Sequence, residues 1–465
     1  MSFPLGKPIL VMLLVAVIAG GTLALRAKPR HRADLVLWVF ADAHAQTYAK
    51  DMGPTPSLLR QFTANTGKTV QLELIGNRGL NVRLGSLYMA DASGPHLPDL
   101  VELEIGTVSR YFRPPLDEVG LLPLNGLLKQ SGWLDRLVRS RLVTWSKQGT
   151  IFGVPHDVSP VALCYRADLF AEAGVDIESS RTWQEFQDNC LKAQAHWRQQ
   201  GHRRRWALEL FEASSGYLGC LLLQRGINLL DVDDRPQLDD PRVAATVAAY
   251  ALMLAGPRRI AADGAAGDAV YAQDMATGTL CAWLAPDWRL ASMKQYAPQL
   301  AGKVRLMPLP RFEPRDAPTS TYGGTMLGIS RRCADPQAAW RLVEHLYLSR
   351  AGLEARQHHS DMLPPVMDAW DDPVYHRADP YFASHAPGET GQRIGELYVQ
   401  LARQIPVRIV SPAAPLAEPS LTFVMGRALA HARRHGQAGL EEACRQWLAD
   451  ETRSLRRRIR QGKFE

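Results

Sequence analysis

Glu102 and Glu104 are the residues whose types and spacing come nearest to a reaction. They close the run Pro98-Asp-Leu-Val-Glu-Leu-Glu104, and neighbours two apart on a strand share a face at about 6.6 Å. That approaches the carboxylate separation of a glycosidase, so an envelope glycoside hydrolase or lyase is one reading. Acid–base pairs, however, come from different elements with contrasting surroundings. Two glutamates at one strand's end read better as solvated or hydroxyl-binding groups. The adjacent His358 and His359 point apart on any regular backbone and lack a third ligand at usable spacing. Six cysteines (164, 190, 220, 281, 333, 444) show no CxxC or CxxH spacing, which argues against structural zinc and against a thioredoxin-type pair. They read as buried small hydrophobes, with one disulfide left open if the chain is exported. No Walker loop, Gly-x-Ser-x-Gly elbow or dinucleotide fingerprint occurs. The expectation is binding without catalysis, cofactor or metal.

These residues must be positioned by an alternating α/β pattern. Asp34-Leu-Val-Leu-Trp-Val-Phe40 is an apolar run rich in β-formers, a strand buried on both faces. A helix at 57–66 closed by Gly67, a strand at 69–75, a helix at about 81–92 and a strand at 98–103 follow. Such βαβαβ order predicts a parallel sheet covered by helices. Ligands meet the carboxyl ends of these strands, which draws attention to Phe40, Asp42, Glu102 and Glu104. Further on, 149–155 reads as a short strand pair, 161–165 as a strand and 167–173 as a helix. Thr182 and Glu185 form a capping-box signature for the helix 183–194. Helices at 217–225, 241–254, 338–348 and 439–458 and a strand at 326–329 complete the reading. Trp145 and Trp283 read as core.

The 465-residue chain is long enough for two or three domains or two intimately built lobes. Its formal charge of +7 is uneven. Residues 1–33 carry five bases and no acid, and 453–465 carry six bases against Glu465; between them 43 bases face 46 acids. The folded middle is slightly acidic, so the charge favours no nucleic-acid partner. Ile9 to Leu25 is uncharged, about 25 Å long as a helix, at the lower limit for crossing a bilayer. Two readings stand: a signal-peptide core at 9–18 with Ala19-Gly-Gly21 as cleavage site, or a retained anchor followed by a basic linker. The apolar run continuing to Leu25 favours the anchor. The bases after it would by themselves favour a cytoplasmic C-terminus, and no cysteine follows to make a lipoprotein.

The most distinctive stretch is GTIFGVPHDVSPVALCYRADLFAEAGVD at 149–176, followed by TWQEF at 182–186. With the opening strand holding Trp38, TGKTVQLELI, PDLVEL, GTLCAWLAPDW and YGGTMLGIS leading into DPQAAWRLVEHLYLS, it resembles the family-1 extracellular solute-binding proteins. These are the maltose-binding-protein type of receptor for ABC importers. Arg166-Ala167 replaces the family's usual Asn-Lys, a mild departure. The resemblance runs from about Leu35 to Leu455. It implies a two-lobed α/β periplasmic-binding-protein fold of type II, with a hinge and an inter-lobe ligand cleft, behind the N-terminal membrane helix. The implied division is an anchor or signal segment at 1–33, N-lobe at 34–158 and 314–360, and C-lobe at 159–313 and 361–465 with its basic tail. Crossings fall near His156–Pro160, Leu309–Pro314 and Arg356–Ser360.

The resemblance also implies a carbohydrate ligand held by aromatic faces and polar groups, ABC permease subunits as partners, a monomer, and a place at the periplasmic or exterior face of the envelope. A membrane-tethered solute sensor is the alternative. Trp288 falls where an aromatic residue stacks on sugar, and Asp42 where a ligand-facing carboxylate stands, with Phe40 beside it. Asp157 and Ser159 lie on the first crossing, Tyr322, Gly323 and Gly324 on the return, and Ser214, Ser215 and Tyr217 open a helix facing the cleft.

Overall fold

Leu35-Val-Leu-Trp-Val39 is apolar at every position, and it forms β1 (Leu35–Val39) with all five residues buried. Successive side chains of a strand point to opposite faces. Leu35, Leu37 and Val39 accordingly enter one core with Tyr48 and Tyr347, while Val36 and Trp38 enter another with Phe112 and Trp145. A sheet filled on both faces needs such continuous apolar runs. The structure, a computed structural model, describes residues 33–89, 97–264, 268–384 and 388–462, with Met12, Leu14 and Val15 ahead of them. The expected membrane segment 9–25 otherwise lies outside the described residues. Among those described, no helix is long and apolar enough to cross a membrane.

The strands follow in chain order: β2 (Val70–Leu74), β3 (Leu100–Glu104), the hairpin of β4 (Ser146–Lys147) and β5 (Thr150–Ile151), β6 (Val154–Pro155), β7 (Val161–Arg166), β8 (Leu208–Glu209), β9 (Ala261–Ala262), β10 (Ala282–Pro286), β11 (Val304–Met307) and β12 (Thr325–Ile329). Five of them form a sheet in the order β2-β1-β3-β12-β6. β1 is parallel to β2 and β3, while β12 returns antiparallel to β3 and β6. A second sheet, β10-β7-β11, is antiparallel throughout. Here too alternation fills both faces: Val161, Leu163 and Tyr165 enter one core, Ala162 and Cys164 another.

Between the sheets the chain runs through segments laid side by side. Pro160 bridges Thr321 antiparallel, Val161 N donates to Ser320 O at 3.1 Å, and His156 N donates to Thr325 O at 2.8 Å. The return is therefore Ser320–Gly324. The expected return at Leu309–Pro314 packs on the second sheet's side instead: Leu309 is core, and Pro310 O accepts from Gln224 Nε2 at 2.8 Å. Its prolines mark a loop on the lobe, not a passage between lobes. Arg356 to His359 likewise still belong to the helix Arg350–His359. The third passage follows that helix, where Leu363 O accepts from Val158 N at 3.1 Å and Leu363 N donates to Asp287 Oδ2 at 2.8 Å.

Helix punctuation follows local chemistry. Thr182 accepts from Glu185 N and Glu185 reaches back to the Thr182 N–H, the full capping box. Several helices escape the sequence pattern, two of them for a visible reason. Asp42–Ala49 has almost no amphipathic stripe, and Ala414–His435 carries Pro419 inside it. All six cysteines are buried and unpaired, and Trp145 and Trp283 are core, 0% and 1% exposed.

Candidate functional site

The carboxyl end of β3 runs straight into a short helix, Ile105–Val108, whose N-cap is Glu104. The Glu104 carboxylate accepts from Gly106 N at 2.8 Å, which pins it beside the space between the two sheets. Burial lifts its carboxyl above the ordinary range, against the pull of Gly106 N–H and of Arg408 across that space. A cavity of about 850 Å³ opens there. Ile105, Gly106, Ser109 and Arg110 line it from the first sheet, Ser214, Ser215 and Gly216 from the helix Gly216–Gln224, and Thr321 and Tyr322 from the return passage. Arg408 to Ser411 and Glu418, Thr422 and Phe423 close the remaining wall.

The aromatic side of this cleft is built as a stack. Trp288 opens the helix Trp288–Tyr296 and lies over Tyr322, ring centroids 6.4 Å apart and planes 24° apart. Its Nε1 donates to Tyr322 O at 2.9 Å. Tyr217, buried below, meets Tyr322 edge-on at 5.3 Å and stacks on Phe211 at 4.2 Å. Beneath them Arg289 donates to Glu209 and to the Tyr217 hydroxyl. Gly323 and Gly324 make the packing possible. Both have positive φ (84° and 123°), a Cβ on Gly323 would reach within 2.9 Å of Trp288 Nε1, and one on Gly324 would collide with the Arg141 guanidinium. Their role here is close approach of backbone to Trp288 and Arg141.

Other expected residues lie away from the cavity wall. Glu102 is fully buried and accepts from Tyr48 and Tyr347 hydroxyls and His44 Nδ1, each at 2.8 Å. Being i−2 from Glu104 on β3 does not give it the same surroundings, because β3 sits mid-sheet and its last residue alone reaches the edge. No acid–base pair results. Asp157 and Ser159, 3% and 0% exposed, lie where the chain passes between the two sheets: Ser159 Oγ donates to Asp157 Oδ1 at 2.7 Å, and Arg141 Nη2 reaches the same oxygen at 3.3 Å. Burial would raise the Asp157 carboxyl, but hydrogen bonding from His156 and the charge of Arg141 hold it well below the carboxylate range. His156 is pushed down to about 3, by burial first and then by Arg356. Asp42 is exposed in the first turn of its helix and bonded to Gln46, and Phe40 is half-buried against His44 at 5.9 Å. Of the expected residues, Ser214, Ser215 and Tyr322 line the cavity, Glu104 borders it, and Trp288 backs Tyr322.

Sequence reasoning missed Arg408, Glu418 and Phe423. Phe423 is 55% exposed and next to Thr422, on the helix that Pro419 disguised. An exposed aromatic residue inside a concave polar wall was the available signal, but it needed that helix first.

The sequence pattern of the family described as bacterial extracellular solute-binding protein matches residues 46–352. The chain belongs to this family. Among curated relatives of this solute-binding protein, the arabinooligosaccharide-binding protein of Halalkalibacterium halodurans is 24% identical over 353 residues, covering 75% of each chain. The arabinooligosaccharide-binding protein of Bacillus subtilis is 22% identical, over 70% of this chain and 71% of its own. The fold matches the sugar-binding protein MalE from Xanthomonas citri with a TM-score of 0.68 at 19% identity, covering 92% of this chain and 99% of the other. These likenesses fit a two-lobed, mixed α/β solute-binding protein, a family that captures solutes rather than transforming them.

Proposed function

We propose that this solute-binding protein captures a short carbohydrate in the cleft between its lobes and delivers it to an ABC importer at the outer face of the cytoplasmic membrane. The observation that carries this reading is the composition of the cavity wall. Tyr322 and Phe423 offer aromatic faces for the apolar side of sugar rings, and Ser215, Thr422, Glu418 and Arg408 surround them with hydroxyl-binding groups, with Glu104 at the border. The two curated relatives, both arabinooligosaccharide-binding proteins, make arabinose-containing oligosaccharides the first ligands to test. The protein works as a monomer, its lobes meeting at 156–160, 320–324 and 360–365, with ligand-driven hinge closure as the signal to the permease. Residues 9–25 hold it at the membrane.

A thermal-shift and calorimetric screen of neutral oligosaccharides tests the ligand class: a ligand at 100 times its Kd should stabilise the fold by about 2.7 kcal/mol. Absence of any stabilising saccharide, or formation of product from one, would overturn the reading. N-terminal sequencing of the membrane fraction tests the anchor, and a mature start at Thr22 or beyond would rule it out.

A further inference from the structure

We propose that the far pole of the C-lobe carries a second site, separate from the cleft, for a phosphate-type oxyanion. The helix Trp183–Gln199 ends in Gln200-Gly-His-Arg-Arg-Arg-Trp206. His202, Arg203, Arg204 and Arg205 line a surface cavity of about 410 Å³, faced by Thr277 and Thr279. No carboxylate lines it. Arg203 and Arg204 are exposed, and neither guanidinium has a hydrogen-bond or ion-pair partner among the described residues. Arg205 is different: its side chain is 11% exposed, its guanidinium lies over Trp197 at 5.6 Å, and its Nη1, which makes no hydrogen bond, pairs with Glu172 Oε2 at 4.0 Å. The Thr277 and Thr279 hydroxyls, hydrogen-bonded to each other at 3.0 Å, stand on the opposite rim, and Thr277 Oγ1 also donates to Gln273 O at 2.9 Å.

Three adjacent guanidinium groups repel one another, and a buried donor without an acceptor is costly. The obvious structural use for such bases is to satisfy the carbonyls at a helix C-terminus. That use is already met by backbone, since Gln200, Gly201 and His202 N–H donate to His196, Arg198 and Trp197 carbonyls at 3.1, 3.1 and 2.8 Å. The lining of this cavity, basic and without a carboxylate, matches an anion. A tetrahedral oxyanion would accept from the planar guanidinium forks that line it. Positive charge continues around Trp206, whose ring lies under Arg259 at 4.0 Å and Arg198 at 6.0 Å.

The place is remote from the cleft. In the β10–β7 ladder the passage end is Pro286 opposite Val161, and Thr277 to Thr279 precede the other end, where Ala282 faces Tyr165. Occupying this site leaves sugar capture free. Free phosphate and the phosphate of an anionic lipid headgroup share the recognised chemistry, and the test separates them.

Full-length protein is titrated with inorganic phosphate against sodium chloride at matched ionic strength. Separately it is mixed with phosphatidylglycerol vesicles and with phosphatidylcholine vesicles. Saturable binding of phosphate, or of phosphatidylglycerol vesicles alone, is expected. Arg204→Gln should weaken it at least about fivefold, as loss of a charge-assisted bond implies, with unfolding midpoint and sugar affinity unchanged. Arg205→Gln is the stronger variant, and the exposed Arg203→Gln and Arg204→Gln keep the test decisive if it misfolds. Phosphate response alone identifies a soluble anion, and vesicle response alone identifies the headgroup. Binding in neither arm, a response equal to chloride's, or full binding by Arg204→Gln would overturn the proposal.

Discussion

Phe423 and Tyr322 show at the scale of single residues how position decides role. Phe423 leaves 55% of its surface open on the cavity wall, so truncation removes little packing from the core. Phe423→Ala should weaken saccharide binding by about 5- to 150-fold, the 1–3 kcal/mol of a contributing aromatic contact, while the unfolding midpoint stays near wild type. Calorimetry and thermal melts on the same variant check it, and a collapse of the melt with normal affinity would make Phe423 structural. His156 offers a second test. Its imidazole is buried, stacked on His44 at 4.1 Å, and held down to about 3. A histidine depressed in the folded state stays neutral there while the unfolded chain takes up a proton below about 6.5. Between about pH 6.5 and pH 3 the unfolded state therefore binds more protons, and stability falls as pH falls, by up to about 1.4 kcal/mol per pH unit. Urea unfolding from pH 7 to pH 4 should show this slope, and His156→Gln should flatten it.

At the scale of elements, the passages between the lobes are the feature most exposed to substitution. Thr321 and Gly324 share one partner, Arg141, which donates to Thr321 Oγ1 at 3.2 Å and to Asp157 O at 3.1 Å. Arg141 is 0% exposed, and removing space beside a buried cation displaces it from its acceptors. Gly324→Ala adds both a strained φ of 123° and a collision with that guanidinium. It should cost several kcal/mol, on the order of 3–5 as for breaking a buried ion pair, read as a lower urea midpoint. Gly53→Ala, a left-handed glycine (φ 58°) with open space around it, is the reference for a milder positive φ without a collision. A loss no larger than the reference's would show that the Arg141 contact does not matter.

At the scale of the whole molecule, the proposed hinge, with three adjacent passages and a polar cavity beside it, predicts a two-state shape change. Ligand can shift that equilibrium only by binding the closed form better. Small-angle scattering should therefore show a smaller radius of gyration at saturating saccharide. Phe423→Ala should give the same final radius at higher ligand concentration. An unchanged radius on saturation would mean that capture does not close the lobes. The phosphate-type site at the far pole should leave this transition unaltered, since its residues lie at the opposite end of the β10–β7 ladder.

Local pattern was enough for much of this protein. The apolar run 35–39, the Thr182–Glu185 box and the order of motifs from Trp38 to Ser349 carry their meaning in sequence because strands, caps and strand–helix steps are short-range objects. Glu104 drew attention because it sits at the end of a strand, where a sheet's ligands gather, and Ser215 and Tyr322 through the family resemblance. Burial and pairing across long separations could not be read in the same way. Glu102 meets Tyr347 and Asp157 meets Arg141 only after the sheet forms. Glycines 323 and 324 look like turn residues until Trp288 and Arg141 arrive beside them. Phe423 and Arg408 reach the same cavity as Ser109 from about 300 residues away in sequence, and only the tertiary structure closes that distance, because a side chain's surroundings in a mid-sheet strand or a cleft wall are supplied by other segments.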